Sequence, residues 1–343
     1  MKPTTIGVDL AASVFEVAVS DSPGRVGIRR RLPRARFLRY FAQTPAAIVV
    51  LEACGSAHYW ARQLQTLGHQ VVLLPPHAVR PYVTRNKTDR TDAKGLLEAY
   101  RNEDLRPVPV KSVAQQTLTA LHRLRSGWLA RRTAALNTVR GLLREFGFLL
   151  PAGAGRVVPG ARALLEDADS ALPDTLRPAL AAMLTEIQGL ENRITTAEVD
   201  LRQLARQTPG VERLLTIPGI GVLTATALVA SVGDIQRFPS GRRFASYLGL
   251  TPRLRSSALT RRLGAISKRG NPYLRMLLTH GARAVLWAAK SRRRTDRLRL
   301  WALEVERLRG HNKATIALAN KLARIAWAVW KHGVDYRQEV PAA

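Results

Sequence analysis

Two short apolar runs that each end on a carboxylate constrain this chain most. Ile6-Gly7-Val8 leads into Asp9, and Ile48-Val49-Val50-Leu51 leads into Glu52. Continuous apolar runs of this length, bounded by polar segments, read as strands buried on both faces. A carboxylate at the end of such a strand is costly unless something cationic uses it. The cost stands out because the chain holds only 25 Asp and Glu against 54 Lys and Arg.

The neighbouring segments place these two strands in a sheet. Residues 4–10 and 14–20 read as consecutive strands, and 25–32 can add a third in a meander. A helix-like stretch at 36–43 follows, then the buried strand 47–51, an amphipathic segment at 57–67 and a strand at 70–74. Three strands followed by alternating helix and strand is the order of a ribonuclease-H-like mixed sheet. In that order the first strand and the next buried strand lie side by side, so Asp9 and Glu52 converge at one end.

A second acidic pair, Asp89 and Asp92, lies in Lys87-Thr88-Asp89-Arg90-Thr91-Asp92. If a helix runs from about residue 89 to 100, the two share one face a turn apart, with Leu96, Leu97 and Tyr100 packing. Singly, each of these aspartates also reads as a helix cap or strand end. Together, four oxygen ligands without His or Cys favour Mg²⁺, with Mn²⁺ as the other candidate. Two such ions can polarise a scissile phosphate and steady its attacking and leaving oxygens.

A net charge of +29 over 343 residues is the footprint of a protein that binds phosphate backbones. With 46% hydrophobic residues the chain is no disordered polycation, and its length suggests two or three domains. The lone Cys54 excludes an internal disulfide, and no His/Cys spacing fits structural zinc. No apolar run approaches the ~18–20 residues of a membrane span, and no signal peptide opens the chain. We therefore expect a cytoplasmic, nucleoid-associated protein.

Beyond Pro107-Val108-Pro109, residues 113–146 form a long Arg-rich helical pattern, and the Gly, Ala and Pro of 151–160 read as a connector. Met183, Ile187, Leu190, Ile194, Ala197, Leu201 and Leu204 step by four and three, a coiled-coil seam. That seam either packs on 113–146 within the chain or bridges two copies. Ile217-Pro218-Gly219-Ile220-Gly221 resembles the turn of a helix-hairpin-helix element, which offers backbone N–H groups to phosphate. The division expected is 1–105 catalytic sheet, 106–208 helical and coiled-coil region, 209–335 third domain and 336–343 tail.

The most basic stretch carries Ser256 and Ser257 on what reads as a loop flanked by Arg253, Arg255, Arg261, Arg262, Lys268 and Arg269. On composition alone these serines are phosphate ligands, because a hydroxyl is a weak nucleophile until activated. Residues 272–334 look helical. Arg292, Arg293 and Arg294 are further phosphate contacts, whereas the tryptophans of this region, Trp287, Trp301, Trp327 and Trp330, read mostly as core.

Six motifs in fixed order give the chain a likeness. Ile-Gly-Val-Asp9, Leu-Glu52-Ala-Cys-Gly, Asn86 to Ala93, Ile217 to Gly221, Leu248-Gly-Leu-Thr-Pro-Arg253 and Ile266 to Asn271 together resemble the DEDD-type insertion-sequence transposases. These are bridge-RNA-guided serine recombinases with a RuvC-like N-terminal domain and a C-terminal transposase domain. The resemblance implies that Asp9, Glu52, Asp89 and Asp92 bind metal and that Ser257 attacks DNA to form a phosphoserine link. It also implies donor and target DNA and a structured guide RNA as partners. Homodimers would pair into a tetramer, in which the serine domain of one protomer serves the carboxylates of another. The family commonly has Gly after the serine where this chain has Ala258, so Ser256 stays open as the alternative nucleophile. The rival reading is a metal-dependent nuclease or junction resolvase that uses water.

Overall fold

The computed structural model describes residues 4–20, 22, 25–83, 89–257, 260–291 and 296–337, with the side chains of Asp89, Arg90 and Arg261 outside the description. It forms two compact units, Met1–Val113 and Ala114–Ala343.

The first unit contains β1 (Thr5–Leu10), β2 (Val14–Ser20), β3 (Ile28–Pro33), α1 (Phe37–Ala42), β4 (Ile48–Glu52), α2 (Ala57–Thr66), β5 (Gln70–Leu74), α3 (Pro76–Val79) and α4 (Asp89–Tyr100). Its five strands make one mixed sheet in the order β3-β2-β1-β4-β5, consistent with a ribonuclease-H-like fold. β1 pairs antiparallel with β2 and parallel with β4, and β5 continues the parallel side. The third strand starts at Ile28 rather than residue 25, because Arg25 closes a tight bridge back to Ser22.

Strict alternation divides the sheet's two faces. Ile6, Val8, Phe15, Val17, Val49, Leu51 and Leu73 pack with Phe37, Phe41, Trp60 and Leu64 of α1 and α2. Phe15 meets Phe37 and Trp60 edge-on, with ring centroids 4.7 and 5.1 Å apart. On the opposite face Val50, Val72 and Leu74 pack on Leu96 and Ala99 of α4, and Ala18 packs on Ala93 and Leu97. The sheet is thus covered on both sides, which is why its central strands are apolar throughout.

The second unit is helical apart from one hairpin. It comprises α5 (Val113–Glu145), α6 (Val157–Glu166), α7 (Arg177–Gln207), α8 (Val211–Leu215), α9 (Val222–Val232), α10 (Gly241–Tyr247), β6 (Pro252–Ser257), β7 (Thr260–Ile266), α11 (Pro272–Ser291), α12 (Arg297–Arg309) and α13 (His311–His332). The stretch 151–160 is not a plain connector: α6 begins at Val157, and Val157 and Ala161 are fully buried. No helix among the described residues is long and apolar enough to cross a membrane.

The α7 seam is filled from within the chain. Leu180, Leu184 and Ile187 pack against Ala135, Leu136, Val139 and Leu143 of α5, while Leu201 meets Leu118. Arg125 donates to Glu198 at 2.6 Å, and Arg132 lies 3.8 Å from Glu191. These pairs run in opposite directions along the two helices, so α5 and α7 form an antiparallel hairpin. The seam's heptad spacing is thereby accounted for inside one copy.

Candidate carboxylate and serine sites

Strand register leads two of the expected carboxylates to one place. β1 and β4 are paired in parallel as far as Val8 opposite Leu51, and the next residue of each is Asp9 and Glu52. By alternation Asp9 shares its face with Gly7, and Glu52 shares its face with Val50, so both belong to the side covered by α4. There α4 comes in close: a Cβ added to Gly7 would lie 2.5 Å from the carbonyl oxygen of Ala93. Asp92, one residue before Ala93, rides on the helical turn that crosses β1.

Glu16 was not among the expected site residues. It stands directly opposite Asp9 across β1 and β2, and Arg31 stands opposite Glu16 on β3. The Arg31 guanidinium lies 3.3 Å from the Glu16 carboxylate. One row across the sheet therefore reads Arg31, Glu16, Asp9, then Glu52. The alternation Phe15-Glu16-Val17 carried the signal, since antiparallel pairing after a short turn puts Glu16 beside Asp9.

The donors in this set are carboxylate oxygens only, a hard set suited to Mg²⁺ or Mn²⁺. Among the described residues no three His, Cys, Asp or Glu side chains converge closely enough to hold a metal ion. Asp89, the fourth expected ligand, begins α4, but its side chain lies outside the described residues. His58, near Glu52 in sequence, accepts a hydrogen bond from the Lys111 backbone N–H at 3.2 Å.

The serine segment is a two-stranded hairpin rather than a loop. β6 and β7 pair with Leu254 opposite Leu263, Arg255 opposite Arg262, Ser256 opposite Arg261 and Ser257 opposite Thr260. All six residues of β6 are exposed, so no burial pattern announces a strand. Alternation then separates the serines. Ser257 shares a face with Arg255, Thr260 and Arg262, whereas Ser256 shares the other with Leu254, Arg261 and Leu263.

The base of this hairpin is clamped by backbone contacts. Ser267 N–H donates to Thr251 O at 2.8 Å, and Lys268 N–H donates to Gly249 O at 3.2 Å. Gly249 has φ +73°, and a Cβ there would run into the Arg269 backbone. Arg275 of α11 donates to the carbonyls of Leu248, Arg269 and Gly270 at 3.2, 2.7 and 3.2 Å. It thereby ties the segment before the hairpin to the one after it. Arg253 donates to Ser267 O at 3.4 Å. Lys268 and Arg269 are exposed, and Lys268 is the one non-glycine residue with positive φ among the described residues. Arg292, Arg293 and Arg294 lie outside the described residues.

Behind the hairpin, Asn271 caps α11 by accepting from Tyr273 N–H at 2.9 Å, and Pro272 follows at the first helical position. Tyr273 reaches the buried His122 of α5. Its hydroxyl lies 3.0 Å from Nδ1, and the Thr226 hydroxyl of α9 lies 3.0 Å from Nε2. Thr226 donates its own proton to Val222 O at 2.6 Å, so it accepts from Nε2–H and leaves Nδ1 to accept from Tyr273. Burial, with Arg125 nearby, pushes the His122 pKa down to about 4.

Both halves of this arrangement have counterparts among known proteins. A DEDD-type IS110 model described as a transposase matches residues 6–148, and the model described as "Transposase IS116/IS110/IS902 family" matches residues 211–297. A "Probable family 20 transposase" of Pseudomonas aeruginosa is 44% identical over 341 residues, covering 98% of this chain and 99% of that protein. This chain belongs to the IS110-type transposase family. It is also 39% identical to the "Transposase for insertion sequence element IS1111A" of Coxiella burnetii over 332 residues, 97% of this chain and 91% of that one. A third relative, the "Transposase for insertion sequence element IS1328" of Yersinia enterocolitica, is 36% identical over 338 residues, 97% of this chain and 98% of its own. Transposases are enzymes that cleave and join DNA, and the transposase described here carries its family matches on the two units that bear the carboxylates and the serines.

Proposed function

We propose that the chain cuts and rejoins the DNA of an insertion sequence by a phosphoserine route. Ser257 is the nucleophile, and Asp9, Glu52, Asp89 and Asp92 hold Mg²⁺. The observation that carries the reading is the β6–β7 register, which groups Ser257 with the facing pair Arg255 and Arg262, whereas Ser256 has Arg261 opposite it and the Leu254–Leu263 pair beside it. Two guanidiniums directly opposite one another repel unless an anion lies between them. A scissile phosphate fills that role.

The chemistry is a pair of exchanges that conserve the number of phosphodiester bonds. Ser257 Oγ forms a bond to the phosphorus, the bond from phosphorus to one sugar oxygen breaks, and the serine proton is passed to that leaving oxygen through solvent or a base. A sugar hydroxyl of the partner strand then attacks the phosphoserine and releases the serine. Arg255 and Arg262 neutralise the non-bridging oxygens as negative charge builds on them. Bound Mg²⁺ would supply further charge neutralisation at phosphoryl oxygen. The close approach of α4 to β1 at Gly7 and Ala93 supports a shared site for Asp9 and Asp92.

A structured guide RNA that pairs with donor and target DNA is part of the proposal, because a +29 chain with its cations on exposed faces suits backbone contact more than base readout. So are the Ile217 to Gly221 turn as a helix-hairpin-helix-like phosphate contact, the division at 105 and 208, and assembly of dimers into a tetramer. The test is recombination of labelled donor and target DNA with the element's flanking RNA and Mg²⁺. Asp9→Asn, Glu52→Gln and Ser257→Ala should each abolish strand exchange. Cleavage that persists in Ser257→Ala would instead assign a water-using metal nuclease.

A further inference from the structure

α11 carries a face that the recombination chemistry does not use. Counting 100° per residue, Met276, His280, Arg283 and Trp287 fall within about 60° of one another, a single stripe along the helix. The stripe is open to solvent. Met276 is 42% exposed and Trp287 72%, and His280 and Arg283 are exposed as well. At its N-terminal end lies a surface cleft of about 360 Å³ lined by Ile266, Lys268, Met276, His280 and Arg283, together with Arg275, whose guanidinium is engaged on backbone carbonyls.

Trp287 differs from every other tryptophan of the chain. Trp60 is buried, Trp128 half-buried, and Trp301, Trp327 and Trp330 pack against the core of the second unit. An indole this exposed contributes little to the fold. A largely exposed tryptophan on a helix that also presents Arg283 and, through the cleft, Lys268 matches the pattern by which proteins hold single strands: cations track the phosphates and an aromatic ring stacks on a base. A duplex offers no free base face to such a ring. The charge complementarity favours nucleic acid over an apolar protein surface.

We infer that the Lys268–Arg283–Trp287 face of α11 is a binding site for a single-stranded nucleic-acid segment, with one unpaired base stacked on Trp287. The inference stands apart from the assignment of Ser257, because binding is read without Mg²⁺ and without strand exchange.

The test uses the full chain and fluorescence anisotropy with labelled oligo-dT, oligo-rU and a duplex of equal length. Trp287→Ala should bind the single strands about tenfold more weakly, as loss of one stacked base implies, and leave the duplex unchanged. Trp287→Phe should retain most of the affinity, and Arg283→Ala should weaken binding while lowering the salt dependence by about one phosphate contact. A loss on oligo-rU alone assigns the site to RNA, and a loss on oligo-dT alone to a displaced DNA strand; either upholds it. Unchanged single-strand binding in Trp287→Ala, or equal loss on the duplex, overturns it. So does a shift in oligomeric state by light scattering, which would make the face a contact between copies. Should Trp287→Ala melt early, Trp287→Gln replaces it under the same criteria.

Discussion

Arg255 and Arg262 stand directly opposite each other across the exposed β6–β7 hairpin, on the face that carries Ser257. Like charges so placed destabilise a hairpin in the free protein, by a few tenths to about 1 kcal/mol. On the proposed mechanism their benefit comes from a bound phosphate.

Two opposite effects should therefore follow from removing one of the pair. Arg255→Ala should leave the melting temperature of the free protein unchanged or slightly raised, yet lower strand exchange about 10- to 100-fold. That range corresponds to one charge-assisted phosphate contact of about 1.5–3 kcal/mol. Calorimetry beside a single-turnover recombination assay separates the two effects. Arg255→Lys should recover only part of the rate, since an ammonium lacks the planar fork.

Gly7 controls how closely α4 approaches β1. In Gly7→Ala the new methyl meets the Ala93 carbonyl oxygen at 2.5 Å, so helix and strand must part. Overpacking of this kind costs about 1–3 kcal/mol. The expected outcome is a destabilised fold and a raised Mg²⁺ requirement for cleavage, seen in urea melts and Mg²⁺ titrations.

Arg275 positions the hairpin rather than touching DNA chemistry. Removing it leaves the carbonyls of Leu248, Arg269 and Gly270 without their shared donor. Arg275→Ala should lose about 2 kcal/mol of stability and most recombination, and Arg275→Lys should keep part of both, because all three bonds come from the single nitrogen Nη1, whose place an ammonium can take. Hydrogen exchange should show the loss of protection concentrated in residues 249–270.

His122 makes stability depend on pH. Its folded pKa is depressed to about 4, while in the unfolded chain the imidazole titrates near its ordinary 6.5. Between these values acid protonates the unfolded chain first, so this stability is complete above about pH 6.5 and is lost as pH falls towards 4. The full loss is about 3 kcal/mol. Denaturant midpoints measured from pH 7 to pH 4.5 should fall in the parent and fall less in His122→Gln.

Much of the first unit was legible because its signals are local. The runs at Ile6–Val8 and Ile48–Leu51 can only be buried strands, and Leu96 and Leu97 fixed the packing side of α4. The hairpin was not legible, since Arg253, Leu254, Arg255, Ser256 and Ser257 are all exposed and no buried face imposes an alternation. Its strands are held by pairing and by Arg275, which is distant in sequence. Glu16 was missed for a related reason: its partners Asp9 and Arg31 come from register, which no composition reveals. The α7 seam showed a clear heptad, but the spacing alone could not tell α5 from a second copy. Trp287 was grouped with core tryptophans by composition, and only its 72% exposure separates it.

The central claim is that Ser257, on the Arg255–Arg262 face of the hairpin, becomes covalently joined to DNA. Reactions stopped mid-course with labelled DNA, Mg²⁺ and the flanking RNA should be digested with protease and nuclease, and the linked peptide identified by mass spectrometry. The account predicts a nucleotide on Ser257, present in Ser256→Ala and absent from Ser257→Ala. Adduct on Ser256, or free cleaved ends with no peptide attached, would contradict it.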